Sequence, residues 1–126
     1  MSPYETTYGF SRAVREGNAI QVAGTAPVPE PGTPQVMGAY EQMLRCVEIA
    51  VEAIEALGGT VDDVVRTRMF IVDANDADDI GRAHAEAFGG ASPAATMVVV
   101  AALLDPAWRV EIEAEAVLRT AVVRHT

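Results

Sequence analysis

The stretch Arg109-Val110-Glu111-Ile112-Glu113-Ala114-Glu115-Ala116-Val117-Leu118 decides how the chain folds. Its period is two. Val110, Ile112, Ala114 and Ala116 fall on one side of an extended strand, and Glu111, Glu113 and Glu115 on the other. A strand written this way needs apolar cover on one face and gives the other to water. Two helical patterns upstream supply the cover. Over residues 38–57, Tyr40, Met43, Leu44, Val47, Ala50, Val51, Ile54 and Leu57 recur at three- and four-residue spacing as one apolar stripe. Glu41, Glu48, Glu52 and Glu55 lie mostly off that stripe, and Gly58-Gly59 offers a left-handed stop. Over residues 75–88, Ile80, Ala83, His84, Ala87 and Phe88 form a second stripe. Asn75 or Asp76 can cap this helix, Asp76, Asp78 and Asp79 suit its positive end, and Gly89-Gly90 stops it.

The remaining segments read as strands and turns. The first forty residues read as short strands and turns, weakly alternating over 10–14, with a better strand over 18–23 opened by Gly17-Asn18. Pro27, Pro29, Pro31 and Pro34 remove backbone donors, so that segment is a loop. Residues 64–72 are rich in β-branched and apolar side chains, with Arg66 and Arg68 on one face and Val65, Thr67, Met69 and Ile71 on the other. Residues 97–103 form a continuous apolar run, as in a buried strand, broken by Asp105-Pro106. The order is β-β-α-β-α-β-β: an α+β chain with a mixed sheet and two helices on one face.

The totals narrow the function. A chain of 126 residues, half of them hydrophobic and without low-complexity tracts, reads as one globular domain over 1–126. The net charge is −9, and the nine Lys and Arg form no run, which counts against nucleic acid as a partner. A single cysteine, Cys46, excludes an intrachain disulfide and fits a reducing compartment. The first residues do not read as a signal peptide, and no apolar run approaches the roughly 20 residues of a membrane span, so no membrane is expected. The expected location is the cytoplasm. His84 and His125 are far apart and give no metal spacing, and no nucleotide-binding fingerprint is present, so neither metal nor cofactor is expected.

Several segments, in order, resemble the signatures of the Rid family, also called the YjgF/YER057c/UK114 family. Tyr8-Gly9-Phe10-Ser11-Arg12-Ala13 resembles its Gly-Pro-Tyr-Ser-Gln-Ala opening, and Gln21-Val22-Ala23-Gly24-Thr25-Ala26-Pro27 its Val-Ser-Gly-Gln-x-Pro segment. Asp62-Asp63-Val64-Val65-Arg66-Thr67 with Phe70-Ile71-Val72-Asp73 resembles its central strand. Pro93 through Val100, then Val110-Glu111-Ile112-Glu113-Ala114, resemble its C-terminal hairpin. The match covers a core of about residues 8–118.

The resemblance implies a chorismate-mutase-like fold and a homotrimer with a small-molecule cleft between subunits. Members include enamine/imine deaminases, so it also implies a hydrolase acting on a C=N or related bond. Glu111 matches the family glutamate proposed to position the attacking water. The arginine that clamps a substrate carboxylate in the deaminases is matched by Ala95, which cannot make that bidentate contact. The opening tyrosine is Phe10, the serine before Gly24 is Ala23, the glutamine after it is Thr25, an asparagine on the second helix is Gly81, and a frequent cysteine is Met97. This pattern resembles an arginine-lacking branch of the family. The alternative is a metabolite-binding module without chemistry. Ribonuclease activity, reported for some relatives, is disfavoured by the charge.

Individual residues carry two readings each. Glu111 is a general base or one of three solvated glutamates. Arg12 and Arg109 are candidates for a relocated anion clamp, while Arg66 and Arg68 read as ion-pair residues within the trimer. Gly24 brings backbone close to a ligand or to a neighbouring subunit. Thr96 is a cleft donor or an ordinary strand threonine, and Trp108 walls a ligand or buries at a subunit interface. His84 reads as a hydrogen-bonded core histidine and Cys46 as a small core residue.

Overall fold

The computed structural model describes residues 3–118 and 123–125, so the expected domain of 1–126 runs at both ends into residues outside the described ones. Eight elements follow in order: α1 (Pro3–Tyr8), β1 (Ala13–Glu16), β2 (Ala19–Thr25), α2 (Ala39–Ala56), β3 (Val64–Ile71), α3 (Ala77–Phe88), β4 (Ala94–Val99) and β5 (Val110–Val117). The strands form one mixed sheet in the order β1-β2-β5-β3-β4. β5 lies in the middle, antiparallel to both β2 and β3, while β3 and β4 are parallel and joined through α3. The α+β class, the mixed sheet and the two covering helices agree with the reading of the sequence.

The period-two pattern of β5 appears as burial. Val110, Ile112, Ala114 and Ala116 are buried, and each intervening residue is only partly so. Ile112 packs with Ile20, Met43, Cys46, Ile54 and Met69 in a single core cluster. Full burial of one such aliphatic side chain is worth about 1.5–3 kcal/mol. On the opposite face Arg68 lies 3.7 Å from both Glu113 and Glu115, which shares one positive charge between two of the three strand glutamates and leaves Glu111 to other partners.

Two local readings are corrected and two are refined. The first residues include a helix, α1, not only strands and turns. It begins at a proline, whose fixed φ suits the first helical position, and ends where Gly9 turns at φ +75° with its N–H donating to Glu5 O. Asp76 stands at the N-cap of the second long helix, one of the two positions expected, but its side chain makes no capping bond; that bond lies one turn earlier, where Asp73 accepts from the Asn75 N–H at the start of a 3-10 turn over Ala74–Asp76. α3 stops where Gly89-Gly90 begins, with Gly89 at its C-cap, and the left-handed residue that follows is Ser92, at φ 52°. The apolar run expected as a buried strand over 97–103 is instead β4, which starts earlier and is a sheet edge. Val98 and Val99 are 41% and 58% exposed there, and among the described residues only β3 pairs with this strand.

Arg66 and Arg68 are likewise satisfied within the chain: Arg68 by the two glutamates, and Arg66 by donating to Thr96 Oγ1 at 2.8 Å. His84 is half-buried, bonded to Thr67 Oγ1 at 2.7 Å, with its ring tilted on Phe88. Burial pushes its pKa down, as a neutral, structural imidazole requires.

Candidate functional site

The site grows from an irregularity in β2. Its register against β5 shifts between Val22 and Thr25, and this bulge brings the backbone of Gly24 against Glu111. A Cβ on Gly24 would stand 3.0 Å from Glu111 Oε2, so a glycine here leaves room for the carboxylate. Thr25 is wholly buried and returns its hydroxyl to Ala23 O at 2.8 Å, which holds the bulge.

The segment between α1 and β1 crosses this point. Arg12 Nη2 donates to Gly24 O at 2.5 Å, and its guanidinium carbon lies 5.9 Å from the centre of the Phe10 ring. Tyr4 and Tyr8, one helical turn apart on α1, stack at 5.6 Å. The opposing wall is the loop before β5. Asp105 Oδ1 accepts from Ala107 N, and Asp105 O accepts from Trp108 N. Gln42, fully buried on α2, then fixes the end of that loop. Its Nε2 donates to Val36 O and Ala107 O, and its Oε1 accepts from Arg109 N at 2.7 Å. Trp108 is thereby held only 7% exposed.

The result is a cavity of about 310 Å³ whose walls include Phe10, Arg12, Gly24, Trp108 and Glu111. That is at the small end of the range for small-molecule sites. Burial raises the pKa of Glu111 above the ordinary carboxylate value; Arg12 opposes the rise and Glu113 adds to it. Burial also lowers the pKa of Arg12, against the raising influence of Glu5 and Glu111, although a guanidinium remains charged. A carboxylate of this kind, set into an apolar wall, can take a proton from water and return it. A second cavity, of about 540 Å³, lies on the α2 side of Arg12 and is bordered by Pro29, Arg45 and Glu52; it is larger but does not reach Glu111.

Not every candidate arrives here. Arg109 turns away: its Nε donates to Met37 O at 3.1 Å and its Nη1 pairs with Asp76 at 2.9 Å, tying the loop before α2 to the start of α3. Ala95 and Thr96 lie on β4, with β3 between that strand and β5, and neither borders the cavity of its own chain. Tyr4, Tyr8, Glu5 and Gln42 were not singled out from the sequence. A polar residue on the apolar side of the first long helix was the available signal for Gln42. None existed for the α1 residues. Among the described residues no group of three or more His, Cys, Asp or Glu side chains could hold a metal ion, and no helix is long and apolar enough to cross a membrane.

Comparison with known proteins places this geometry. Residues 2–118 match the sequence model of the family described as Endoribonuclease L-PSP. An uncharacterised Streptomyces coelicolor protein is 37% identical over 115 residues, covering 91% of this chain and 86% of that protein. The mouse 2-iminobutanoate/2-iminopropanoate deaminase is 31% identical over 110 residues, covering 86% and 80%. A crystal structure of a Mycobacterium tuberculosis member of the YjgF/YER057c/UK114 family superposes with a TM-score of 0.85 at 37% identity, covering 93% of each chain. With the family model matching residues 2–118, the relatives above 30% identity and the shared fold in agreement, the chain belongs to the Rid (YjgF/YER057c/UK114) family.

Proposed function

We propose that the protein is a homotrimer whose inter-subunit clefts bind a small organic molecule and hydrolyse a C=N bond in it. The observation that carries this reading is Glu111, a carboxylate set in the wall of a cavity, with a pKa raised by burial and flanked by Gly24 and Arg12. In the proposed step a water held by Glu111 attacks the imine carbon. Glu111 takes one water proton as the C–O bond forms and returns it to nitrogen. This gives a carbinolamine; Glu111 then takes its hydroxyl proton and passes it to nitrogen as the C=O forms and the C–N bond breaks, releasing ammonia and a carbonyl compound. The imine specificity in the name of the mouse relative supports the reaction class. Assembly is supported by the exposed apolar edge of β4, which would bring Ala95 and Thr96 of one subunit to the cavity of the next. With Ala95 where the family deaminases carry arginine, the substrate depends less on a carboxylate than a 2-imino acid does.

The test is keto-acid release from freshly generated 2-iminopropanoate by wild type, Glu111→Gln and Ala95→Arg. Activity in wild type that is lost in Glu111→Gln supports hydrolysis with a substitute clamp. A silent wild type with an active Ala95→Arg supports a competent scaffold that serves another ligand. A stable monomer by light scattering at micromolar concentration removes the shared cleft.

A second reading, a binding module without chemistry, is favoured by the mostly apolar wall and by an Arg12 already engaged with Gly24 O. Silence of both proteins, with a thermal shift on adding a metabolite, supports that reading. Ribonuclease activity is disfavoured by the −9 charge.

A further inference from the structure

We infer that the cavity selects a small organic cation, a protonated amine or iminium with an apolar or aromatic substituent, over a carboxylate of the same shape. The inference rests on the reading that this cavity is the ligand site, and it names the ligand's chemistry.

The first observation is the concentration of aromatic surface. Two of the chain's three tyrosines, Tyr4 and Tyr8, border the cavity together with Phe10 and the single tryptophan, Trp108. The faces of aromatic rings attract cations, and tryptophan does so best. The second observation is the charge balance. Arg12 is the one basic side chain in the wall among the described residues. Its charge is already answered: it donates to Gly24 O, and Glu5 and Glu111 both act on it. The wall therefore presents the Glu111 carboxylate beside a guanidinium that is already engaged. A carboxylate ligand would have to draw Arg12 away from these partners while lying beside Glu111, and like charges at close range in a partly desolvated site repel strongly. A cation meets the Glu111 carboxylate and the ring faces, both attractive. The third observation is position. The same carboxylate that would face the ligand nitrogen is the group proposed to hold water, so an iminium drawn to Glu111 presents its electrophilic carbon near that water. An iminium is also more electrophilic than its neutral imine, and hydrolysis then yields a carbonyl compound and an ammonium ion.

Three probes of one size and different charge test this: benzylammonium, benzyl alcohol and benzoate, titrated into the full-length protein at neutral pH. Trp108 is the only tryptophan, so its fluorescence reports the cavity directly. Benzylammonium is expected to bind about tenfold tighter than benzyl alcohol, the scale of a partly desolvated cation–π contact with an added ion pair, and benzoate most weakly. Glu111→Gln should reduce the preference for the cation to the part owed to the ring faces, and a thermal unfolding midpoint no lower than that of wild type at neutral pH shows that the variant is folded. The inference is overturned if benzoate binds as tightly as benzylammonium, if the preference survives undiminished in Glu111→Gln, or if millimolar benzylammonium leaves Trp108 unchanged. Cation selectivity without any imine turnover would refute the proposed hydrolysis alone. Turnover of 2-iminopropanoate without cation selectivity would refute this inference alone.

Discussion

Gln42→Leu is expected to damage the site through a residue that does not line it. Gln42 is fully buried on α2 and makes three hydrogen bonds: to Val36 O at 2.8 Å, to Ala107 O at 2.9 Å and from Arg109 N at 2.7 Å. Leucine has nearly the same volume and fits an apolar helix face, so the effect isolates the polar contacts. Each lost bond costs about 1 kcal/mol net, and stranding the Arg109 N–H adds about 1–3 kcal/mol. The greater apolarity of leucine offsets roughly 1–2 kcal/mol. The balance is a loss of about 3 kcal/mol, or about 10 °C in Tm for a chain of this size. The assay is thermal unfolding at fixed protein concentration, followed by Trp108 emission in the folded state. The emission maximum should shift to the red, because the loop that shelters Trp108 loses its anchor on α2. A Tm within about 2 °C of wild type, well below the shift expected from the lost bonds, together with an unmoved emission maximum, would refute the argument that Gln42 positions this wall.

Gly24→Ala is expected to fold with a stability change of about 1 kcal/mol or less, because the Glu111 carboxyl that the new methyl meets at 3.0 Å is the mobile end of its side chain. Ligand binding in the cavity should fall, measured by the same fluorescence titration. Cys46 is wholly buried, and burial pushes its thiol pKa far up, so Ellman's reagent should label it only as fast as the protein unfolds. Glu111 holds its proton more tightly folded than unfolded, so its contribution to stability is full below the unfolded-state pKa and is lost as pH rises through the folded-state value. Glu111→Gln should therefore be more stable than wild type at neutral pH, with the difference closing as pH falls below the ordinary carboxylate range in paired denaturant titrations.

Much of the fold was legible because it is written in periods. The alternation in β5 and the stripes of α2 and α3 are repeated choices made over many residues, and burial follows them directly. The status of β4 was not legible. Continuous apolar sequence says that a strand wants cover, and cannot say whether its own chain supplies it. Glu111, Gly24, Phe10, Arg12 and Trp108 were singled out in advance from signatures, and one chain brings them together. Arg109 was singled out by its place in the sequence, but its side chain turns to Met37 and Asp76, a rotamer choice that no pattern encodes. The α1 residues escaped because six residues are too few to show a stripe.

The pairing of β2 with β5 joins an early strand to the last one among the described residues. Gly24 and Glu111 meet across that pairing and nowhere else. The closure entropy of so long an intervening chain must be met before the two strands gain anything from each other. Local structure such as α2 and α3 can form first; the cavity cannot. As the chain emerges from a ribosome, every residue of the site except those of its last segment is present long before the site exists. A nascent or C-terminally clipped chain therefore carries the opening segment, the bulge and the aromatic residues without the ability to use them. On the function proposed, competence to bind arises only when β5 arrives, together with completion of the core that Val110, Ile112 and Ala114 fill.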